Sequence, residues 1–184
     1  MTAAVSIPGY VVGRWDFDPV HSEIGFTVRH MMVSKVRGKF TSYTGYLVTA
    51  EDPLKSYAEA EIDLSSITTG QEQRDGHLRS SDFFDVEKDP KMTFKSTSIE
   101  PNGDDFRVTG DLTIRGITQP VTLDVEVGGF GPDPYGGVRA GFTATGTINR
   151  HDYGVSWQTA IEGGGVVVGD KVTINIEIEA VLQT

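Results

Sequence analysis

The chain has 184 residues, and 16 Lys and Arg against 26 Asp and Glu give it a formal net charge of −10. This charge argues against a nucleic-acid backbone as partner, because phosphate binding needs clustered basic residues, and an acidic surface is repelled by anionic membranes. The absence of Cys excludes disulfides, thiolate metal sites and a Cys nucleophile.

The length fits a single domain spanning residues 1–184. The first ten residues contain neither a positively charged segment nor an apolar core of the kind found in export signals, so we expect a cytoplasmic protein. No apolar run approaches the ~18–20 residues that a membrane-spanning helix needs. The 22 glycines indicate many turns or closely packed backbones.

Apolar and polar residues alternate along most of the chain, which is typical of strands with one buried face. In chain order, the predicted strands cover residues 11–17, 24–30, 36–48, 58–64, 92–99, 106–114, 121–127, 138–148 and 172–180. Turn residues separate these runs at 51–53, 101–104, 115–116, 131–137 and 163–165.

One short helix is predicted over residues 71–81, inside the loop between residues 65 and 90. Asp75 and Arg79 are four residues apart in the favourable acid-first order, so we expect them to form an ion pair on this helix.

About eight antiparallel strands with short connections predict an all-β fold, either a sandwich or a barrel, and simple up-and-down order favours an eight-stranded barrel. Such a barrel holds either packed side chains or one small ligand. The sequence leaves both outcomes open. Small residues share the inner faces with large ones, which are Ala58, Ala60, Gly110, Ala140, Ala144 and Gly146 against Phe26, Phe40, Phe94, Phe106 and Phe142.

Three residues of the predicted helix, Arg74, His77 and Leu78, lie on one helix face. If this face caps the barrel, it presents two polar groups and one apolar group to the interior. The alternative is structural: Arg74 and His77 bond backbone carbonyls and neighbouring carboxylates while Leu78 packs.

His30 has the same parity as Ile24, Phe26 and Val28, so it should face the interior as a core residue or as a polar contact for a ligand. His21 more naturally ties down a turn. Arg150 and Asp152 should share one strand face, in an ion pair or at the barrel mouth.

Motifs of well-known catalytic and phosphate-binding sites are absent, and the four His residues are far apart in sequence. We therefore expect no catalytic residue, no metal and no cofactor other than a bound ligand.

Several ordered segments resemble the YceI-like family of bacterial lipid-binding proteins, between about Trp15 and Val181. The matching segments cover residues 15–22, 24–30, 38–40, 74–78, 81–84, 90–94, 110–116 and 149–154. This resemblance implies a lipocalin-like barrel whose lumen holds a polyisoprenoid, a quinone-like lipid or a fatty amide. Many members of the family carry an export signal, and this sequence shows none.

From this resemblance we predict a lipid-binding protein for carriage, storage or sequestration, with no nucleic-acid partner, and a homodimer would be favoured by exposed apolar edges. The predicted ligand-binding residues are Phe26, Val28, His30, Phe40, Arg74, His77, Leu78, Phe94, Phe142 and Ala144. Two alternatives stay open. One is an enzyme with His30 or His77 as general base and Arg74 as anion stabiliser. The other is an interaction or stress protein with a filled barrel.

Overall fold

The computed structural model describes residues 5–158 and 167–184 and contains one antiparallel sheet and one α-helix. The helix is α1 (Glu72–Arg79), and 3-10 turns cover Pro53–Lys55, Leu64–Ser66 and Arg150–Tyr153. The strands are β1 (Gly13–Phe17), β2 (Glu23–His30), β3 (Ser34–Phe40), β4 (Tyr43–Thr49), β5 (Tyr57–Asp63), β6 (Ile67–Thr68), β7 (Lys91–Asn102), β8 (Asp105–Ile114), β9 (Ile117–Pro132), β10 (Val138–Asn149) and β11 (Val168–Leu182).

The sheet closes on itself through β11, the last strand. The end of β11 pairs with β1, with Trp15 opposite Leu182, and its first half pairs with β2, with Val28 opposite Val172. β4 and β3 pair with β1 and β2 in the same way, so β1–β2 and β3–β4 act as two long, bent strands. The strands then follow chain order around a closed eight-stranded antiparallel barrel, which confirms the predicted fold.

The predicted strand at 36–48 is divided into β3 and β4. Between them, the backbone N–H of Thr41 donates to Ser66 Oγ and the carbonyl of Ser42 accepts from Asp63. These bonds pair the backbone at the bend with a turn from elsewhere in the chain, so the strand bends with these polar groups hydrogen-bonded within the protein.

The helix is present but shorter than expected, with the side chain of Gln71 accepting a hydrogen bond from the Arg74 N–H at its start. The predicted Asp75–Arg79 ion pair was wrong. The Asp75 carboxylate is buried and accepts from the N–H of Thr69 at 2.9 Å, whereas Arg79 lies 3.2 Å from Glu72. A buried carboxylate takes the nearest donors available, and here these belong to the loop before the helix.

The inner faces of the barrel carry most of the buried apolar residues. A smaller cluster surrounds Trp15, whose indole N–H donates to Thr49 Oγ1 at 2.9 Å and whose ring meets Phe130 edge-on. The predicted turn at 115–116 joins β8 to β9, and the predicted turn at 163–165 lies outside the described residues. Among the residues described, no helix has the length and apolarity required to cross a membrane.

Candidate ligand-binding cavity

The barrel encloses a cavity of about 340 Å³ with an almost entirely apolar lining. Val172, Ile174, Ile176 and Ile178 line it from β11, the strand with the cleanest alternation in the sequence. The volume lies within the range of small-molecule sites, roughly 300–1,000 Å³. Of the two outcomes left open by the sequence, the structure therefore has the hollow barrel.

Three phenylalanine rings of the lining lie over glycines of a neighbouring strand. A Cβ atom placed at Gly110 would be 2.4 Å from the ring of Phe94, and one placed at Gly45 would be 2.3 Å from the ring of Phe17. Phe26 packs in the same way on β3. Because a glycine leaves room for the ring at the wall itself, these aromatic side chains take less of the lumen.

Seven of the ten predicted ligand-binding residues line the cavity, namely Phe26, Val28, Phe40, Leu78, Phe94, Phe142 and Ala144. All except Leu78 are inward positions of strands, which is where the period-two pattern places them. Leu78 is the one residue of α1 that reaches the cavity. Contact between these residues and a ligand stays a prediction.

The three polar residues of that set, His30, Arg74 and His77, are not part of the lining. His30 is half-buried at the end of β2 between Ser34 and Val168 of the adjacent strands. Its ladder partner Val168 lines the cavity whereas His30 does not, and contact between His30 and a ligand stays a prediction.

Arg74 and His77 have the structural surroundings that the sequence offered as the alternative. Arg74 Nε donates to Thr69 Oγ1 at 2.7 Å, and His77 Nε2 lies 2.8 Å from Asp82 Oδ2. The His77 ring also packs edge-on against Phe83 and Trp157. Nearby loop groups satisfy both side chains, and their role as ligand contacts stays a prediction.

Arg150 lines the cavity, and its partners differ from Asp152, the residue predicted to pair with it. It is 4% exposed, and it donates to the carbonyls of Val155 and Trp157, both at 2.8 Å, and of Gly169 at 2.9 Å. Burial lowers the pKa of its guanidinium, an effect that the charge of Asp170 opposes.

The expected pairing of Arg150 with Asp152 is not formed, since the carboxylate near Arg150 is that of Asp170, 3.8 Å away. The 3-10 turn Arg150–Tyr153 ends the strand, and with it the alternation that would have placed both side chains on one face.

Tyr153, in the same turn, is one of the polar lining residues that the sequence did not predict, and the others include Tyr10, Thr49, Ser56, Tyr57, Glu59 and Ser96. It is 1% exposed, and its hydroxyl has no hydrogen-bond partner among the described residues. Burial raises the pKa of this hydroxyl to about 12, so it remains a neutral donor at ordinary pH. The family motif at residues 149–154 was the one sequence feature that pointed to this region. The motif does not show which of its side chains turns inward.

His21 ties down a turn, as expected, within a group of charges outside the cavity. Its Nδ1 lies 2.7 Å from Asp18 and 3.2 Å from Glu179, and Arg139 contacts the same two carboxylates at 2.8 and 3.1 Å. Hydrogen bonds from His21 and Arg139 lower the pKa of Asp18 to about 2. Although three of these side chains have the spacing of metal ligands, the guanidinium already provides their positive charge.

The sequence model of the YceI-like domain matches residues 15–180 of this chain. A UPF0312 protein of Staphylococcus epidermidis is 44% identical over 168 residues, covering 90% of this chain and 96% of that protein. A UPF0312 protein of Staphylococcus aureus is 41% identical over 171 residues, with coverage of 90% and 96%.

Solved structures of similar proteins have the same barrel. BcnA of Burkholderia cenocepacia has a TM-score of 0.76 at 25% identity, covering 89% of this chain and 98% of that one. The YCEI protein of Campylobacter jejuni has a TM-score of 0.73 at 30% identity, covering 85% and 90%. A polyisoprenoid binding domain from Saccharophagus degradans shares the fold, with a TM-score of 0.67 at 16% identity and coverage of 94% and 100%. By its sequence match over residues 15–180, the chain belongs to the YceI-like family.

Proposed function

We propose that this protein binds the long apolar chain of a lipid inside its barrel, for carriage, storage or sequestration. The observation that supports this most directly is the apolar cavity of about 340 Å³ within the closed sheet. The Saccharophagus degradans domain with this fold is named for polyisoprenoid binding, which favours an isoprenoid-type chain over other lipids.

Removal of apolar area from water provides the driving force. At ~25 cal/mol per Å², burying ~400 Å² of a hydrocarbon chain contributes ~10 kcal/mol before the cost of ordering the ligand is subtracted. A wall of Val, Ile and Phe side chains offers no hydrogen bonds, so it distinguishes ligands by length and shape rather than by polar groups.

The polar groups in the lining favour a ligand with a neutral, oxygen-containing end. Arg150 has four hydrogen bonds to backbone carbonyls, which use most of the five N–H groups of its guanidinium. It therefore has one N–H group left to donate to the carboxylate or phosphate of a ligand. The Tyr153 hydroxyl is buried and has no partner among the described residues, so a small shift of the side chains that cover it would let it donate to the carbonyl of a quinone or amide.

The placement of the candidate catalytic groups supports binding rather than catalysis. The enzyme considered in the sequence analysis needs His30, His77 or Arg74 next to the substrate, and none of these side chains belongs to the cavity lining. Proton transfer requires contact within hydrogen-bond distance of the reacting atom.

Mass spectrometry of an organic extract of the purified protein tests the proposal, and we expect a stoichiometric, chemically unchanged lipid. Ala144 lies on the inner face of β10, so Ala144→Trp should fill the cavity and expel this lipid. Thr147→Trp is the matched control, because Thr147 is an exposed position on the same strand. An empty extract together with no uptake of added quinone would contradict the proposal.

A further inference from the structure

The β2–β3 hairpin has a basic outer face in an otherwise acidic protein. Phe26 and Val28 of β2 line the cavity, so the intervening side chains point outward. The exposed basic residues of the hairpin are Arg29, Lys35, Arg37 and Lys39. We call them the basic face.

The charges of the basic face are not neutralised within the described part of the chain. None of the four side chains there has a carboxylate within 4.0 Å, and Arg29 lies directly opposite Lys35 in the ladder. Like charges in this arrangement destabilise a sheet. Of the nearby acidic groups, Asp170 contacts His151 at 2.7 Å and Glu177 accepts from Thr143 at 2.9 Å. Glu23 is exposed at the start of β2, the end of the strand away from the tip.

The tip of the same hairpin is apolar and exposed. Met31, Met32 and Val33 follow one another and are 41%, 52% and 83% exposed. Three adjacent exposed apolar residues at a loop tip are unusual on a soluble surface, where contiguous apolar patches mark contact sites.

The backbone conformation of the tip is one that methionine rarely adopts. Met31 has φ 52° and Met32 has φ 64°, so two consecutive residues occupy the left-handed region that glycine and asparagine favour. The Val33 N–H donates to the His30 carbonyl and closes the turn. Hairpin turns with positive φ at two consecutive residues ordinarily have Asn and Gly there, whereas this chain has Met-Met.

The tip stands at the end of the barrel where Arg150 and Tyr153 line the cavity. The Met31 N–H donates to the carbonyl of Val167, and the neighbouring Val168 lines the cavity at the start of β11. Tyr153 follows the end of β10, which pairs with this same part of β11.

We propose that the β2–β3 hairpin docks the barrel onto an anionic lipid bilayer. The Met31–Met32–Val33 tip enters the interface between headgroups and acyl chains, and the basic face contacts the lipid phosphates. The net charge of −10 does not prevent this, because charges are screened beyond ~10 Å and the surface nearest the bilayer is positive. The inference extends the proposed function, since a bilayer is a source and a destination for lipids, but docking itself does not require a ligand in the cavity.

Flotation of the full-length protein with vesicles tests the electrostatic part. We expect binding to phosphatidylcholine vesicles that contain phosphatidylglycerol, weakening in high salt, and little binding to phosphatidylcholine alone. Lys35→Glu combined with Arg37→Glu should reduce binding at least twentyfold, given about fivefold for each basic side chain lost. Lys55→Glu combined with Lys88→Glu changes the net charge equally at exposed sites away from the hairpin and should leave binding unchanged.

A second variant tests the apolar tip without endangering the fold. Met31→Asn combined with Met32→Gly introduces the residues that the turn geometry favours, so thermal stability should be kept while vesicle binding falls. Equal binding by the two charge-reversed proteins, or unchanged binding by the tip variant, would overturn the proposal. So would a tip variant that altered only the oligomeric state in light scattering, because the hairpin would then contact a second copy of the chain.

Uptake of a soluble short-chain quinone is measured separately on each protein, with quenching of tryptophan fluorescence as the readout. A variant that loses vesicle binding but takes up quinone normally has lost docking and kept the proposed lipid-binding function. A wild-type protein that binds vesicles but takes up no quinone contradicts the proposed function and leaves docking intact.

Discussion

The ring of Phe26 on β2 lies on the backbone of Gly38, its ladder partner on β3. A Cβ atom at position 38 would lie 2.3 Å from Cζ of the ring, well inside van der Waals contact. The ring can occupy this place because the residue opposite has no side chain. The glycine at position 38 therefore keeps the Phe26 ring at the wall and leaves space free in the lumen.

Gly38→Ala should displace the Phe26 ring towards the lumen. We expect a loss of about 1–3 kcal/mol in the free energy of unfolding, as for other overpacked cores, together with weaker quinone binding. Urea unfolding and fluorescence quenching measure the two effects.

Gly141→Ala is the control for this substitution, because the structure has nothing within 4 Å of a Cβ at that position. Phe26→Leu in the Gly38→Ala background should recover most of the stability. If Gly38→Ala and Gly141→Ala behaved alike, the ring would not depend on the glycine.

Tyr153→Phe should affect stability and binding in opposite directions. Removing a buried hydroxyl that lacks a partner among the described residues should stabilise the empty protein by about 1–3 kcal/mol. The same change should weaken binding of a quinone-bearing chain by about two- to tenfold, the value of one neutral hydrogen bond, and leave binding of a pure hydrocarbon chain unchanged. Thermal unfolding and titration calorimetry measure these quantities.

Tyr46→Phe is the matched control, since the Tyr46 hydroxyl donates to Glu59 and Tyr46 is not part of the cavity lining. It should leave quinone affinity as it is and give no gain in stability. Equal quinone affinity of wild type and Tyr153→Phe would remove Tyr153 from the site.

Arg150→Met should strongly destabilise the protein. The guanidinium donates to the carbonyls of Val155, Trp157, Gly169 and Val168, and methionine would leave these groups without that donor. We expect a loss of about 3–5 kcal/mol in urea unfolding, as when a partner is removed from a buried polar network. Arg107→Met, which breaks an exposed pair with Asp124, should cost less than about 1 kcal/mol. Similar losses in the two variants would contradict the structural role of Arg150.

Asp18→Asn should destabilise the protein in a pH-dependent manner. The pKa of Asp18 is lowered from 3.8 to about 2, so its ionised form stabilises the fold above pH 3.8, and this contribution is lost as the pH falls through 2. Allowing for solvent screening, we expect a difference of about 1 kcal/mol between wild type and variant at neutral pH. Urea unfolding over this pH range checks the expectation, and a difference that persisted at the acid end would refute it.

The walls of the barrel could be predicted from the chain alone, because alternation reports directly which face of a strand is buried. Val172, Ile174, Ile176 and Ile178 illustrate this, since each lines the cavity as its parity requires. The ordered motifs likewise led to the YceI-like family, which the match over residues 15–180 confirms.

Residues outside regular strands were harder to place, since parity has no meaning in a turn. Arg150 and Tyr153 lie in a 3-10 turn, and the partners of Arg150 include a carbonyl at Gly169, distant in sequence. Arg74 and His77 share a helix face with Leu78, yet local acceptors in the loop determine where their side chains go.

Local sequence pattern thus determined the strands, their inward positions and the family, because these follow from the two-residue repeat and from short motifs. Tertiary structure alone decided that the barrel is hollow, that Tyr153 lines the cavity and that Arg150 is bonded to carbonyls from two segments of the chain. The physical reason is that free volume, unpaired buried groups and local electric fields depend on distances between segments far apart in the chain. The amino-acid composition contains no information about those distances.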